Sequence, residues 1–157
     1  MARTLHPNAA HVARTLIARG HHGVVVTQDQ PTHTAAEAAA ALGVEVGAIT
    51  KSLVFLLDDE PVLLLVSGAH EVDTERTGKR LDGTLTRAPA DVVREVTGQP
   101  LGGVAPVGHP TNLSTFVDTA LEAYPELWAA AGHPNTVFRT TFRELVRITA
   151  GLEIDVE

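Results

Sequence analysis

The chain has 157 residues, 44% of them hydrophobic, with 12 Lys and Arg against 19 Asp and Glu and a formal charge of −7. That length carries one core, so a single domain over 1–157 is expected. The acidic balance argues against broad nonspecific wrapping of nucleic acid, although it leaves room for a local basic cleft. The absence of cysteine excludes disulfides, thiolate metal sites and cysteine nucleophiles. Apolar runs such as Val62 to Val66 are too short to span a bilayer, and the N-terminal stretch lacks a signal-peptide pattern, so a cytoplasmic protein with no membrane contact is expected.

Pro7 followed by NAAHVARTLIARG sets Ala9, Val12, Ala13, Leu16 and Ile17 on one face, which predicts an amphipathic helix over about 7–20, stopped by Gly20. GVVVTQ, from Gly23, is rich in β-branched residues and predicts a strand. Thr34, with Glu37 three positions on, opens a helix that Gly43 closes. TKSLVFLLDDEPVLLLVSG predicts two strands around a turn at Asp58-Asp59-Glu60-Pro61, and this hairpin is expected at the centre of the sheet. Asp73 caps a helix running towards Leu81, GTLTR predicts a short strand, and Pro89 starts a helix with Val92, Val93 and Val96 facing inward.

QPLGGVAPVGHP holds three glycines and three prolines in twelve residues, a composition that favours a shaped loop. STFVD and NTVFRT predict strands, Thr141 with Glu144 caps another helix, and LEIDV predicts a final strand. Short strands mixed irregularly with helices indicate α+β, with a mixed, mostly antiparallel, barrel-like sheet flanked by helices.

Lys51 is the conspicuous residue of AITKSLVFLL. Strand alternation puts it on a face with Leu53, Phe55 and Leu57, and an ammonium among such neighbours needs water, a partner or a cleft. It is either a charged guard on an edge strand, its stem packed and its ammonium wet, or a cleft residue meeting an anion or carbonyl. The loop Leu101–Pro110 matches neither the P-loop nor the dinucleotide fingerprint. It is either a tight connection or a backbone cradle in which amides of Gly102 to Pro106 donate to a carbonyl or phosphate. None of the eight histidines stands in a compact ligand set, so no metal site is expected. His109 reads as a loop brace or a site residue, and Asp118 as a site acid or the cap of a helix at 119–123. No serine has a GxSxG context. Arg76, Lys79 and Arg80 would either widen a basic patch around Lys51 or form a solvated charged face.

Together THTAAEAAAALGVEVGAITKSLVF, LLLVSGAHEVD, REVTGQPLGGVAPVGHP, FVDTAL and AAAGHPNTVFRTTFRELVRITAG resemble the YbaK/EbsC family, relatives of the editing domain of bacterial prolyl-tRNA synthetases. The likeness runs in order from about Thr32 to Val156. It implies a YbaK-like fold and a freestanding deacylase that hydrolyses the ester of a mischarged tRNA, typically one for proline, without metal or cofactor. It implies Lys51 as a catalytic residue holding the 3′-terminal adenosine or its phosphate, and a loop in which Gly102 and Gly103 position the aminoacyl carbonyl. Ser52, Val104, Ala105, Pro106, His109 and Asp118 follow as substrate-binding candidates. Water, or a thiol of the substrate, is the implied nucleophile. The expected partners are the aminoacyl-tRNA acceptor end and a prolyl-tRNA synthetase. Lys51-Ser52 departs from the Lys-Thr of the cysteine-specific branch, which leaves the amino acid open. A non-catalytic module binding a tRNA 3′ end or a nucleotide, and a hydrolase of small aminoacyl esters, are the competing readings.

Overall fold

The computed structural model describes residues 4–22 and 24–157, so Gly23 of the first predicted strand and residues 1–3 lie outside the description. Eight strands form one sheet: β1 (Val25–Thr27), β2 (Ile49–Leu57), β3 (Glu60–Ser67), β4 (Leu85–Arg87), β5 (Ser114–Asp118), β6 (Leu127–Ala130), β7 (Thr136–Thr140) and β8 (Leu152–Ile154). Five helices flank it: α1 (Pro7–Ala18), α2 (Ala35–Leu42), α3 (Thr74–Arg80), α4 (Ala90–Thr97) and α5 (Phe142–Thr149).

The β2–β3 hairpin is central, in the order β1-β7-β6-β2-β3-β5-β8 with β4 also on β2. Four pairings are antiparallel and three parallel, the α+β mixture expected. β1 and β8 do not pair with each other among the described residues, so the barrel is left unclosed. Leu57 faces Glu60 across the hairpin, which makes the turn two residues long. Asp58 and Asp59 take φ of 49° and 67°, the left-handed pair that matches strand twist, and Pro61 moves into β3 opposite Leu56. β6, with two alanines in four residues, gave no strand signal in the sequence.

β3 sorts the core by its pleat. Leu63 and Leu65 join the main core with Val12 and Leu16 of α1, Val93 and Val96 of α4, and Leu145 and Ile148 of α5. Val62, Leu64 and Val66 meet Phe55, Leu85 and Ile154 on the other side. The buried stripe of α1 is Ala9, Val12 and Leu16, narrower than expected, for Ile17 is 74% exposed. α2 begins as its sequence predicts: the Thr34 hydroxyl accepts from Glu37 N at 3.1 Å, and Gly43 ends the helix at φ 68°. A third small cluster, Ala38, Ala39 and Ile49 against Trp128, seats α2 beside the start of β2.

Because this cap sets where α2 meets the sheet, Thr34→Ala should cost about 1 kcal/mol. A thermal melt would read that as a fall of roughly 2–4 °C in Tm, with Thr34→Ser close to wild type.

Candidate active site

One edge of β2 is paired with β3 from Thr50 to Leu57. The other is divided: β6 takes Ile49 and Thr50 at one end and β4 takes Phe55 to Leu57 at the other. Between them the register leaves Lys51 to Val54 without a strand partner on that edge, and a cleft of about 490 Å³ opens there. Its walls include His33 and Ala35 at the start of α2, Trp128 and Ala130 of β6, Val93 of α4, and the loop residues Leu101, Gly102 and Val104. Since the cleft lies at a break in the sheet, it draws side chains from both faces of β2, Lys51 and Leu53 from one, Thr50 and Ser52 from the other.

The backbone direction along this break follows from two bonds. Ile49 O accepts from Gly68 N at 2.7 Å on the β3 side, and Val54 O accepts from Ala88 N at 3.3 Å on the β4 side. Strand alternation then turns the N–H and C=O of Ser52 towards the break. Thr50 is only 3% exposed, and the Thr50 and Ser52 hydroxyls are buried with no hydrogen-bond partner among the described residues.

Lys51 is neither a wet edge guard nor an unpaired buried charge. Its side chain is 21% exposed. Its Nζ donates to His70 O at 2.6 Å and lies 3.9 Å from Glu71 Oε1, too far for a hydrogen bond. An ammonium has three donors, so two remain for a ligand. At the same wall Arg87 lies 4.0 Å from Glu71 Oε2 and stacks 5.7 Å from the centroid of Phe55. The carbonyl that holds Lys51 is itself fixed: His70 Nδ1 meets Asp118 Oδ2 at 2.9 Å and its Nε2 meets Glu157 Oε1 at 3.1 Å.

The Gly/Pro loop is braced from behind. Gln99, 3% exposed, accepts from Ala105 N through Oε1 at 2.7 Å and donates to Val107 O at 3.4 Å. His109 Nε2 donates to Ala105 O at 2.7 Å, and burial, the largest influence, pushes its imidazole below the usual range. Gly103 N donates to Pro100 O and Gly103 O accepts from Gly132 N at 2.8 Å. Among the described residues the N–H groups of Gly102 and Val104 reach no acceptor, and both residues line the cleft. The two glycines therefore differ. Gly102 sits at φ 83° and a Cβ there would meet only His33 Nδ1, at 4.0 Å, whereas a Cβ on Gly103 would come within 2.7–2.9 Å of the His133 backbone.

Of the residues singled out by sequence, Lys51, Ser52, Gly102 and Val104 meet at the cleft. Gly103, Ala105 and Pro106 are buried behind it, and His109 opens on a separate hollow with Asn8 and His11. Asp118 is fully buried; it caps the 3₁₀ turn Thr119–Ala123 through Ala120 N at 3.0 Å and grips His70. Arg76, Lys79 and Arg80 face Asp73, Glu75 and Asp155 at 3.8, 3.5 and 3.7 Å and do not line the cleft. The sequence reading passed over Gln99, His70, Arg87 and Trp128. Gln99, the one amide in a Gly/Pro segment, and Trp128, the only tryptophan of the chain, carried a compositional signal.

With this geometry in view, the comparisons are specific. A family model described as the aminoacyl-tRNA editing domain matches residues 29–148, and the chain belongs to that family. It is 36% identical over 92 residues to a proline–tRNA ligase of Latilactobacillus sakei subsp. sakei (strain 23K), covering 58% of this chain and 16% of that protein. The chain thus spans a small part of that ligase's length. It is 28% identical to the uncharacterized protein YwhH of Bacillus subtilis (strain 168) over 113 residues, with 71% and 72% of the two chains covered. A crystal structure described as that of a candidate trans-editing enzyme for prolyl tRNA synthetase superposes with a TM-score of 0.93 at 43% identity, over 98% of this chain and 99% of the other.

Two measurements follow. Gly103→Ala forces backbone to move and should cost about 3 kcal/mol, while Gly102→Ala meets only left-handed strain, about 1 kcal/mol; denaturant midpoints for the two variants separate these. The second concerns acid. His109 and His21 are both pushed below the ordinary imidazole value, burial being the first cause in each. The unfolded chain therefore binds protons more readily, so stability is level above the ordinary imidazole value of about 6.5 and lost as pH falls below it. His109→Gln, which keeps a donor for Ala105, should flatten that acid-side loss in Tm measured against pH.

Proposed function

We propose that the protein is a trans-editing aminoacyl-tRNA deacylase that hydrolyses the aminoacyl ester of mischarged tRNA, the tRNA being one for proline. The observation that carries this reading is the pair of N–H groups at Gly102 and Val104, at the cleft and without acceptors among the described residues, while Gly103 N between them and Ala105 N beside them are bonded to Pro100 O and Gln99 Oε1. N–H donors two residues apart on a braced loop suit the ester carbonyl, and bind its oxygen more strongly as charge develops on it in the tetrahedral intermediate. Gln99, His109 and Gly103 are positioning residues: they hold the loop that holds the donors.

Lys51 supplies the charged contact. Its two remaining donors suit the phosphate or ribose hydroxyls of the terminal nucleotide, and Arg87 provides a second cation on the same wall. Trp128 offers the adenine a stacking surface. Water attacks the carbonyl carbon, the acyl–oxygen bond breaks, the ribose oxygen leaves with one of the water's protons, and the amino acid departs as its carboxylate with the other proton passing to solvent. Support for the proline system comes from the two relatives whose descriptions name that synthetase or its tRNA ligase. The acceptor end of tRNA is the partner, a prolyl-tRNA synthetase a second one, and a single catalytic domain acting in the cytoplasm is the corresponding setting. No helix of the described residues is long and apolar enough to cross a membrane.

A panel of aminoacylated tRNAs tests the reading directly. Release of amino acid from at least one mischarged tRNA is expected, and Lys51→Ala should slow it by at least roughly tenfold, about 1.4 kcal/mol of transition-state stabilisation. A protein that binds the acceptor end and releases nothing from any member is a binding module. A folded Lys51→Ala variant with wild-type rates would remove Lys51 from the site.

A further inference from the structure

The unpaired stretch of β2 carries more than an opening. Thr50 is nearly fully buried, yet its hydroxyl has no partner among the described residues, and neither has that of Ser52 on the same face. Native structures seldom leave such groups unmatched. Both residues line the cleft, and the Ser52 carbonyl turns into the same break. Three oxygens able to accept hydrogen bonds therefore stand along the break without a donor among the described residues. The loop on the opposing wall presents the N–H donors of Gly102 and Val104. An aminoacyl ester has the same polarity: an acceptor at its carbonyl and, one carbon away, an ammonium that only donates.

We infer that the break in β2 is an α-ammonium site, in which the Ser52 carbonyl and the Thr50 and Ser52 hydroxyls accept from the free amino group of the aminoacyl moiety. The inference rests on the deacylase reading and adds a rule of selectivity. Esters whose amino group is acylated, peptidyl-tRNA among them, lose a donor and the charge, and gain bulk where the strand backbone stands. The protein spares them. Recognition through main chain and hydroxyls is also indifferent to the amino-acid side chain, which leaves that choice to the apolar wall around Val93 and Leu101.

The test compares an aminoacyl-tRNA that the protein cleaves with its N-acetylated form. Wild type should prefer the free amine by at least about tenfold in kcat/KM, and Thr50→Val with Ser52→Ala should shrink that preference at least about fivefold. Thr50→Val alone, which replaces an unmatched buried hydroxyl by an isosteric methyl, should hold or raise Tm by about 2–4 °C, a readout opposite to that of a structural role. Equal rates on the two substrates, or an unchanged preference in the folded double variant, would overturn the site. A second arm is independent of turnover: the fluorescence of Trp128, the only tryptophan, follows binding of an amide-linked 3′-aminoacylamino-adenosine and its N-acetyl counterpart. If no tRNA is deacylated, the deacylase reading fails, but tighter binding of the free amine still supports the site. Equal binding, or none, overturns it.

Discussion

A strand has two edges, and every N–H and C=O along each must find a partner or face solvent or ligand. β2 meets this condition with β3 on one side and only at its two ends on the other, because β6 and β4 are too short to cover nine residues between them. Everything at the site follows from that shortfall. The cleft forms where the cover is missing, side chains from both faces of β2 reach it, and Lys51 is half-sheltered in the middle of a sheet without being sealed in it.

The opposing wall is built by the reverse strategy. A loop rich in glycine and proline has no ladder to order it, so buried polar side chains do so instead. Gln99 occupies one amide and one carbonyl, His109 a second carbonyl, and the close contact of Gly103 with the 132–133 backbone fixes the rest. Such bracing leaves the N–H groups of Gly102 and Val104, at the cleft, without an acceptor among the described residues. Preorganised donors of this sort need no rearrangement when charge appears in front of them. Behind Lys51 a similar logic holds, with the His70 ring gripped between Asp118 and Glu157 so that its carbonyl stays in place.

The features legible in the sequence were the local ones. Thr34, Asp73 and Thr141 each cap the helix they were expected to cap, since a cap needs only its next three residues. The central hairpin was equally plain from its apolar runs. What could not be read was anything set by distant partners: β6, whose alanines have little strand preference of their own, and the break in β2, which exists only because of where β4 and β6 stop. At the site the family resemblance pointed to Lys51 and to the loop, but the division of labour inside that loop depends on Gln99. A glutamine between Gly98 and Pro100 has no motif to announce it. Ile17 shows the limit of periodicity, placed on the apolar face by spacing and yet left in solvent by a narrower contact.

The pairing of β2 also orders events in time. Its hairpin closes through a two-residue turn and needs nothing beyond Ser67, whereas the strand that covers its first residues is drawn from 127–130 and the one beyond that, β7, from 136–140. Contacts so far apart in the chain form late, after the cost of closing the intervening loop has been met. While the chain is being synthesised, β2 and β3 stand as an apolar ribbon with bare edges, the kind of surface that pairs with a neighbouring copy. The gap that in the finished protein is narrowed to residues 51–54 is, until 127–130 has arrived, much of the outer edge of the strand.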